Sequence, residues 1–282
     1  MNQIVFNGNF VQANEKIAGT ANRGLRYGDG LFETMKMVNG KILLDDYHRQ
    51  RLFYGLALMK FKVPAGFTWD VLIKKATELA RNNNCSVFAR IRLMLFRDDE
   101  PLRQGGNGKV NYAIEASSLD RSYKSFHKEG IITGLHPDIR KSCDKFSNLK
   151  SANYLPYVMA AVWAKEKNWD DCLILNSNGR ISDSSVANVF LIKNGRIFTP
   201  ALAEGCVAGV LRRYLVDELP KRGYAVSETV VSISDIESAD EIFLTNALYG
   251  IRKAAVFGKK MYAGEMSALL YKEFIEPMNF GN

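Results

Sequence analysis

Apolar and polar positions recur with two different periods along this chain, and the changes of period mark its elements. Ile4 to Phe6 and Phe10 to Gln12 flank Asn7-Gly8. Leu31 to Val38 and Lys41 to Leu44 flank Asn39-Gly40. Asn-Gly tolerates the positive φ of a tight turn, so each pair of runs predicts a hairpin. A helix is predicted from Asp45 or Asp46, whose carboxylates suit a helix start, to about Leu58. Another follows a Thr68 cap and runs to about Asn82. Val87 to Phe96 is apolar with Arg90 and Arg92 alternating in, which predicts a strand with one polar face.

From Ser117 to Lys128 the pattern lapses into polar residues. This predicts a small α+β domain over 1–118, a linker over 119–123 and a larger α+β domain over 124–282. In the second half, strands are predicted near 131–135, 172–175, 189–192 and 241–244. Helices are predicted near 153–167, 207–219 and 266–274. Asn178-Gly179 and Asn194-Gly195 mark turns. The order is mixed and carries no internal repeat. It predicts an α+β fold in two domains, with a site in the cleft between them.

Composition narrows the functional classes. The chain has 282 residues, 47% hydrophobic and 24% charged, as soluble globular proteins have. The longest apolar run, Leu155 to Ala164, is half of what a membrane span needs and contains Pro156. No basic and apolar leader opens the chain, so secretion and membrane insertion are not expected, and a cytoplasmic location is. The net charge of +8 favours anionic partners. The basic residues are scattered, and the aromatics sit inside apolar runs, so a nucleic-acid surface is not expected. Four cysteines and three histidines show no zinc-ligand spacing, so no metal is expected either.

Several segments could carry chemistry. Lys150 stands just before a predicted helix, and a desolvated lysine amine there is a nucleophile toward aldehydes. Lys145 and Lys141 compete for that role on these grounds. Asp183 precedes an apolar strand and could bond a protonated ring nitrogen, or be part of an ordinary turn. Arg51, on a predicted helix, could clamp a phosphate or lie in solvent. Gly209, Val210 and Leu211 open a helix after a glycine-containing segment, a place where backbone N–H groups can hold phosphate. Thr245 and Asn246 add a hydroxyl and an amide after a strand.

Together these segments resemble one family. Arg-Gly-Leu-x-Tyr-Gly-Asp-Gly-Leu-Phe-Glu-Thr at 23–34 resembles the opening motif of class IV pyridoxal-phosphate enzymes, fold type IV. His48-x-x-Arg51-Leu52 is similar to its phosphate-arginine motif. Lys150-Ser151-x-Asn153-Tyr154 resembles its Schiff-base lysine motif. Asp183-x-Ser185-x-x-Asn188-Val189-Phe190 resembles its Glu-x-Ser-x-x-Asn signature, with Asp for the usual Glu and an arm one methylene shorter.

The resemblance implies a homodimer of two-domain, D-amino-acid-aminotransferase-like subunits, with pyridoxal 5′-phosphate in the interdomain cleft. It implies Lys150 as the cofactor-bearing acid–base and Asp183 at the ring nitrogen, keeping it protonated. Arg51, the 209–211 amides and Asn246 would lie at the phosphate, Tyr154 at the phenolic oxygen and Asn188 in support. The family holds branched-chain and D-amino-acid aminotransferases and 4-amino-4-deoxychorismate lyases. The unbroken 23–34 motif, Gly209-Val210-Leu211-Arg212 and Asn246-Ala247-Leu248-Tyr249-Gly250-Ile251 lean toward the lyase. Arg97-Asp98-Asp99-Glu100 lacks the Arg-x-His clamp of D-amino-acid enzymes. Arg26, Arg90, Arg97 and Arg252 are candidates for the carboxylates of a small substrate.

Overall fold

A computed structural model describes residues 2–98 and 110–280; Asp99 and Glu100 of the clamp comparison lie outside them. The chain divides into two compact units. One contains the residues up to Arg121 together with Lys150–Tyr154; the other contains Ser122–Leu149 and Leu155–Phe280.

In the first unit, β1 (Gln3–Phe6), β2 (Asn9–Gln12), β3 (Gly30–Val38), β4 (Lys41–Ile42), β5 (Phe88–Arg97) and β6 (Val110–Ser118) form one sheet. Its order is β2-β1-β6-β5-β3-β4 and every pairing is antiparallel. Three helices complete the unit: α1 (Arg23–Tyr27), α2 (Asp45–Leu58) and α3 (Trp69–Asn82). Both Asn-Gly pairs take positive φ at both residues and close the expected hairpins. Met35, Met37, Ile91 and Leu93 of the sheet and Leu52, Leu56, Leu72 and Leu79 of the helices are all but fully buried.

Thr68 caps α3 by accepting from the Val71 N–H. Helix α2 starts at Asp45, as expected, although its N-cap is not a side-chain one. Neither Asp45 nor Asp46 caps it; Leu44 precedes it in the left-handed region without a side-chain bond. That bend also ends β4 at Ile42, short of Leu44. The two aspartates occupy the first turn instead, where the helix dipole favours them.

The second unit contains β7 (Ile131–Lys141), α4 (Leu155–Glu166), β8 (Asp171–Asn176), β9 (Ile181–Ser184), β10 (Asn188–Lys193), β11 (Arg196–Pro200) and α5 (Val210–Glu218). It continues with β12 (Val226–Thr229), α6 (Ile233–Ser238), β13 (Glu241–Asn246), β14 (Gly250–Phe257), β15 (Lys260–Met261) and α7 (Glu265–Leu270). A π-helical turn, Tyr271–Ile275, leads into α8 (Glu276–Phe280).

The strand order is β12-β11-β10-β13-β14-β7-β8-β9, with β15 on β14. Because β9 also pairs with β10, the six strands β10-β13-β14-β7-β8-β9 close a ring. Leu173, Val189, Leu191, Ile242, Leu244 and Ala254 belong to its hydrophobic core.

Three differences from the sequence reading bear on function. β7 runs on to Lys141 past an irregularity between Leu135 and Arg140, six residues beyond the expected end at 135, and so carries Lys141 on a strand. Residues 181–184 form a fully buried strand, which removes the alternative of an ordinary turn. Helix α5 starts at Val210, three residues later than expected, because Gly209 is its extended N-cap.

Candidate active site

Lys150 is held on the first unit by a free length of strand edge. β4 pairs only with Met37 and Val38, so the other end of β3 is open on that side. Residues 150–152 take the opening: Phe32 N–H donates to Lys150 O (3.0 Å) and Ala152 N–H to Gly30 O (2.9 Å). Gly28 ends α1 in the left-handed conformation, and a Cβ there would stand 3.0 Å from the Asn153 backbone. A glycine is therefore needed for both the turn and the approach. Lys150 Nζ lies 4.4 Å from the centre of the Phe32 ring, and the Tyr154 ring meets Phe32 edge-on at 5.3 Å. Arg92 Cζ lies 4.6 Å from the same Phe32 ring. Burial, then the neighbouring Arg90 charge, lowers the Arg92 guanidinium below its usual range. An amine and a partly desolvated cation thus share one aromatic wall.

Glu33 is the next residue on β3, so its side chain points to the opposite face. There it accepts from Arg51 Nε (2.8 Å) at one oxygen and from Arg51 Nη2 (2.5 Å) and His48 Nδ1 (2.6 Å) at the other. Burial alone would raise the Glu33 carboxyl; Arg51 and then His48 overcome that and lower it to about 2. Arg51, which sequence places in solvent or on a phosphate, is a bidentate partner of a buried carboxylate. Sequence analysis passed over Glu33. The available signal was an acidic residue in the middle of an apolar strand.

The second unit gathers Asp183, Asn188 and the segment before α5. β9 and β10 pair through Asp183 and Asn188, and Asn188 pairs in turn with Thr245 on β13. The three make a polar row across the sheet. Asn188 Nδ2 donates to Asp183 Oδ1 (2.9 Å) and to Val207 O (2.8 Å). Asp183 Oδ2 accepts from Val207 N–H (3.0 Å), Tyr157 OH (2.8 Å) and Lys141 Nζ (2.8 Å). Lys141 therefore serves Asp183, and Tyr157, not singled out by sequence, meets both. Tyr157 lies one helical turn beyond Tyr154, and that spacing was its only signal.

Around this row stand an uncapped helix start, a glycine and a buried hydroxyl. No side chain caps α5, and no acidic residue lies in its first turn. A Cβ on Gly209 would lie 1.9 Å from Asn188 Oδ1, so any side chain there would have to displace Asn188. Among the described residues Thr245 Oγ1 is buried without a hydrogen-bond partner. Asn246 spends its oxygen on the Leu248 and Tyr249 N–H groups (3.0 and 3.1 Å), closing the turn between β13 and β14.

The candidate arginines are dispersed. Arg26 is exposed and donates to Thr20 O (2.6 Å). Arg97 is bound to Asp29 (3.0 Å) and Met59 O (2.7 Å) and lies over Phe61. Arg252 lies over Tyr249 at 4.3 Å. Arg90 is half-buried, two residues from Arg92 on the same strand face. Burial raises the Cys85 thiol and pushes Cys172 and Cys206 up to about 12, which makes the three poor nucleophiles at neutral pH. Among the described residues no group of three His, Cys, Asp or Glu is placed to hold a metal ion, and no helix is long and apolar enough to cross a membrane.

The antiparallel sheet unit and the ring of mixed strands are the architecture of pyridoxal-phosphate fold type IV. The family model of class IV amino-transferases matches residues 30–256, and the chain belongs to that family. A D-alanine aminotransferase from Listeria innocua is 26% identical over 97% of this chain and 95% of its own. An aminodeoxychorismate lyase from Vibrio harveyi is 25% identical over 81% of this chain and 83% of its own. The fold matches that of the branched-chain aminotransferase from the archaeon Thermoproteus uzoniensis with norvaline, with a TM-score of 0.87 and 22% identity over 99% of this chain and 95% of that one. The family's cofactor is pyridoxal 5′-phosphate. The residues present fit it: a lysine amine on an aromatic wall, a buried carboxylate, an uncapped helix start whose glycine leaves room for Asn188, and a buried hydroxyl without a partner among the described residues.

Proposed function

We propose that this chain carries pyridoxal phosphate on Lys150, acts on the amino group of a small carboxylated substrate, and works as a 4-amino-4-deoxychorismate lyase. It would release pyruvate and form 4-aminobenzoate, a step of folate biosynthesis in the cytoplasm. One observation carries the reading: Lys150 Nζ and the Arg92 guanidinium lie on the same Phe32 ring, at 4.4 and 4.6 Å. The amine stands beside a cation suited to a carboxylate, and Arg90 on the same strand face supplies a second. Aminodeoxychorismate has two carboxylates. The 246–251 segment and the Vibrio harveyi relative lean the same way.

When bound, pyridoxal phosphate draws electrons from the carbon that bears the amino group. Lys150 Nζ takes the proton from that carbon and later returns one. Tyr154 and Phe32 flank the lysine amine. On the first unit Arg51, held by Glu33, would be a phosphate ligand. On the second, the amides of Gly209, Val210 and Leu211 would be, with Asn246 fixing the neighbouring turn. Asn188 locks Asp183 to Val207, and Asp183 would face the ring nitrogen. A homodimer fits the exposed apolar stripe of α4 at Leu155, Val158, Met159 and Val162.

The test mixes the cofactor-loaded protein with aminodeoxychorismate and, separately, with D- and branched-chain amino donors. Formation of 4-aminobenzoate is expected. Keto acids from the amino donors with no 4-aminobenzoate would make the chain an aminotransferase, a reading that the D-alanine aminotransferase relative favours. Lys150→Ala is expected to lose the cofactor's absorbance band and its borohydride-fixed adduct. A persisting adduct mapped to Lys145 would move the role there.

A further inference from the structure

Asp171 opens β8 as a buried carboxyl without a cation. It is 3% exposed, and among the described residues no Lys, Arg or His pairs with it. Its two oxygens are loaded unequally. Oδ1 accepts from the Cys172 N–H (2.7 Å), the Ser185 N–H (3.0 Å) and the Ser185 hydroxyl (2.7 Å). Among the described residues Oδ2 meets Ser184 Oγ alone, at 2.8 Å. Ser184 Oγ also lies 3.2 Å from Ala187 O. A hydroxyl has one hydrogen, so it cannot donate fully to both oxygens, and the Ala187 carbonyl can only accept. Both contacts are hydrogen bonds when Asp171 Oδ2 carries a proton and donates it to Ser184. Oδ1, with three donors, is then the carbonyl oxygen of an acid.

The surroundings supply no charge to hold the carboxyl ionised. Thr133 stands opposite on β7, and Ser184 and Ser185 face it from the end of β9. Asp183, the residue before Ser184, is paired with Lys141. From α4, Ala160 O accepts from the Cys172 thiol (3.1 Å), which burial pushes up to about 12, and Lys165 and Glu166 are exposed. Asp170 is exposed and accepts from the Ile132 N–H (2.7 Å). Burial raises the Asp171 carboxyl above its usual range, against the pull of its hydrogen bonds. A buried carboxyl without a cation avoids the cost of desolvating a charge by keeping its proton.

The same contacts reach the site. Ser184 N–H donates to Ala187 O (2.8 Å) and closes the turn between β9 and β10. That turn joins Asp183 to Asn188, whose side chains bond each other at 2.9 Å. We propose that Asp171 is a positioning residue held as a neutral carboxylic acid, and that the chain from its Oδ2–H through the Ser184 hydroxyl to Ala187 O fixes the turn that sets Asp183 beside Asn188. The link to the cofactor rests on the proposed role of Asp183; the protonation of Asp171 does not.

The test records the infrared spectrum of the full-length, cofactor-loaded protein at pH 7, with the aspartate side-chain carboxyls labelled with ¹³C. The carbonyl stretch of a protonated acid, moved by the label, is expected in the wild type and absent in Asp171→Asn. Ser184→Ala removes the acceptor of the acid proton and should shift that band, which decides the matter even if Asp171→Asn does not fold. No such band in the wild type, a band that persists in Asp171→Asn, or one that Ser184→Ala leaves in place overturns the inference. Chemical denaturation gives a second readout. The folded chain keeps a proton that the unfolded carboxyl loses above about pH 4, so stability falls as the pH rises. Between about pH 5 and 7 the unfolding constant of the wild type relative to Asp171→Asn should rise by up to about tenfold per pH unit, and a flat ratio overturns the inference. Cofactor titration reads the positioning. Ser184→Ala should weaken cofactor binding by about tenfold, the cost of one hydrogen bond, whereas the Asp171→Asn amide can still donate to Ser184 and should restore the wild-type affinity. Equal affinity in Ser184→Ala and the wild type overturns the positioning role. No adduct on Lys150 would overturn the functional reading and leave the infrared result standing.

Discussion

Arg51 shows how one residue can hold two obligations. It is a phosphate candidate by motif, and in the structure it is the bidentate partner of buried Glu33. Arg51→Ala should weaken cofactor binding by roughly ten- to a hundredfold, the loss of a charge-assisted bond of about 1.5–3 kcal/mol. It should also lower stability by about 3–5 kcal/mol, because Glu33 loses its cation in a buried setting. Cofactor titration and chemical denaturation read the two effects separately. Lowered stability with unchanged affinity would make Arg51 purely structural. His48 adds a pH signature. Burial lowers its imidazole below the ordinary value, with Glu33 opposing. The ring is therefore neutral at pH 7, with Nδ1–H donating to Glu33 and Nε2 buried without a partner among the described residues. Below about pH 6.5 the unfolded chain binds a proton that the native fold refuses, so stability falls as the pH drops. Glu33 contributes to acid loss only much lower, as the pH falls toward about 2. Denaturation at pH 7.5 and 5.5 should show the loss, and His48→Gln should reduce it. An equal loss in His48→Gln would place the titration elsewhere.

At the scale of elements, the start of α5 and the strands β9 and β10 work as one piece. Gly209 is the contact between them, since Asn188 occupies the space of its missing Cβ. Gly209→Ala should push Asn188 off Asp183 and Val207 and weaken cofactor binding roughly tenfold, the cost of one to two hydrogen bonds. Gly66→Ala meets open space and is the control. Equal cofactor affinity in both variants would detach this helix start from cofactor binding. The helices and hairpins themselves were legible from sequence because their causes are local. Asn-Gly turns at 7–8 and 39–40 and the Thr68 cap act over a few residues. Strand β9 was not legible. Its four residues are polar enough for a turn, and only pairing with β8 and β10 makes them a buried strand.

At the scale of the molecule, α4 presents Leu155, Val158, Met159 and Val162 to solvent at successive turns, 44–66% exposed. An apolar stripe of this kind on a folded subunit marks a protein contact. With the proposed homodimer it predicts that Val158→Asp shifts the protein from dimer to monomer in light scattering, with unchanged helix content. A wild-type chain that is monomeric at working concentration would remove that assignment.

Sequence by itself determined the family. The motifs at 23–34, 48–52, 150–154 and 183–190 name the cofactor, the lysine proposed to carry it and most of the residues proposed to surround it, because each motif is a short run whose residue types the chemistry requires. Local periodicity likewise determined most helices and strands. Only the tertiary structure decided which charges meet. Glu33 and Arg51 are 18 positions apart, and Lys141 and Asp183 are 42 apart. Nothing local in either segment encodes such a partner. In the second pair, the irregular extension of β7 carries Lys141 beside β8, and the closing strand β9 brings Asp183 to it. Burial then makes each pairing obligatory, since an uncompensated charge in those interiors would cost several kcal/mol.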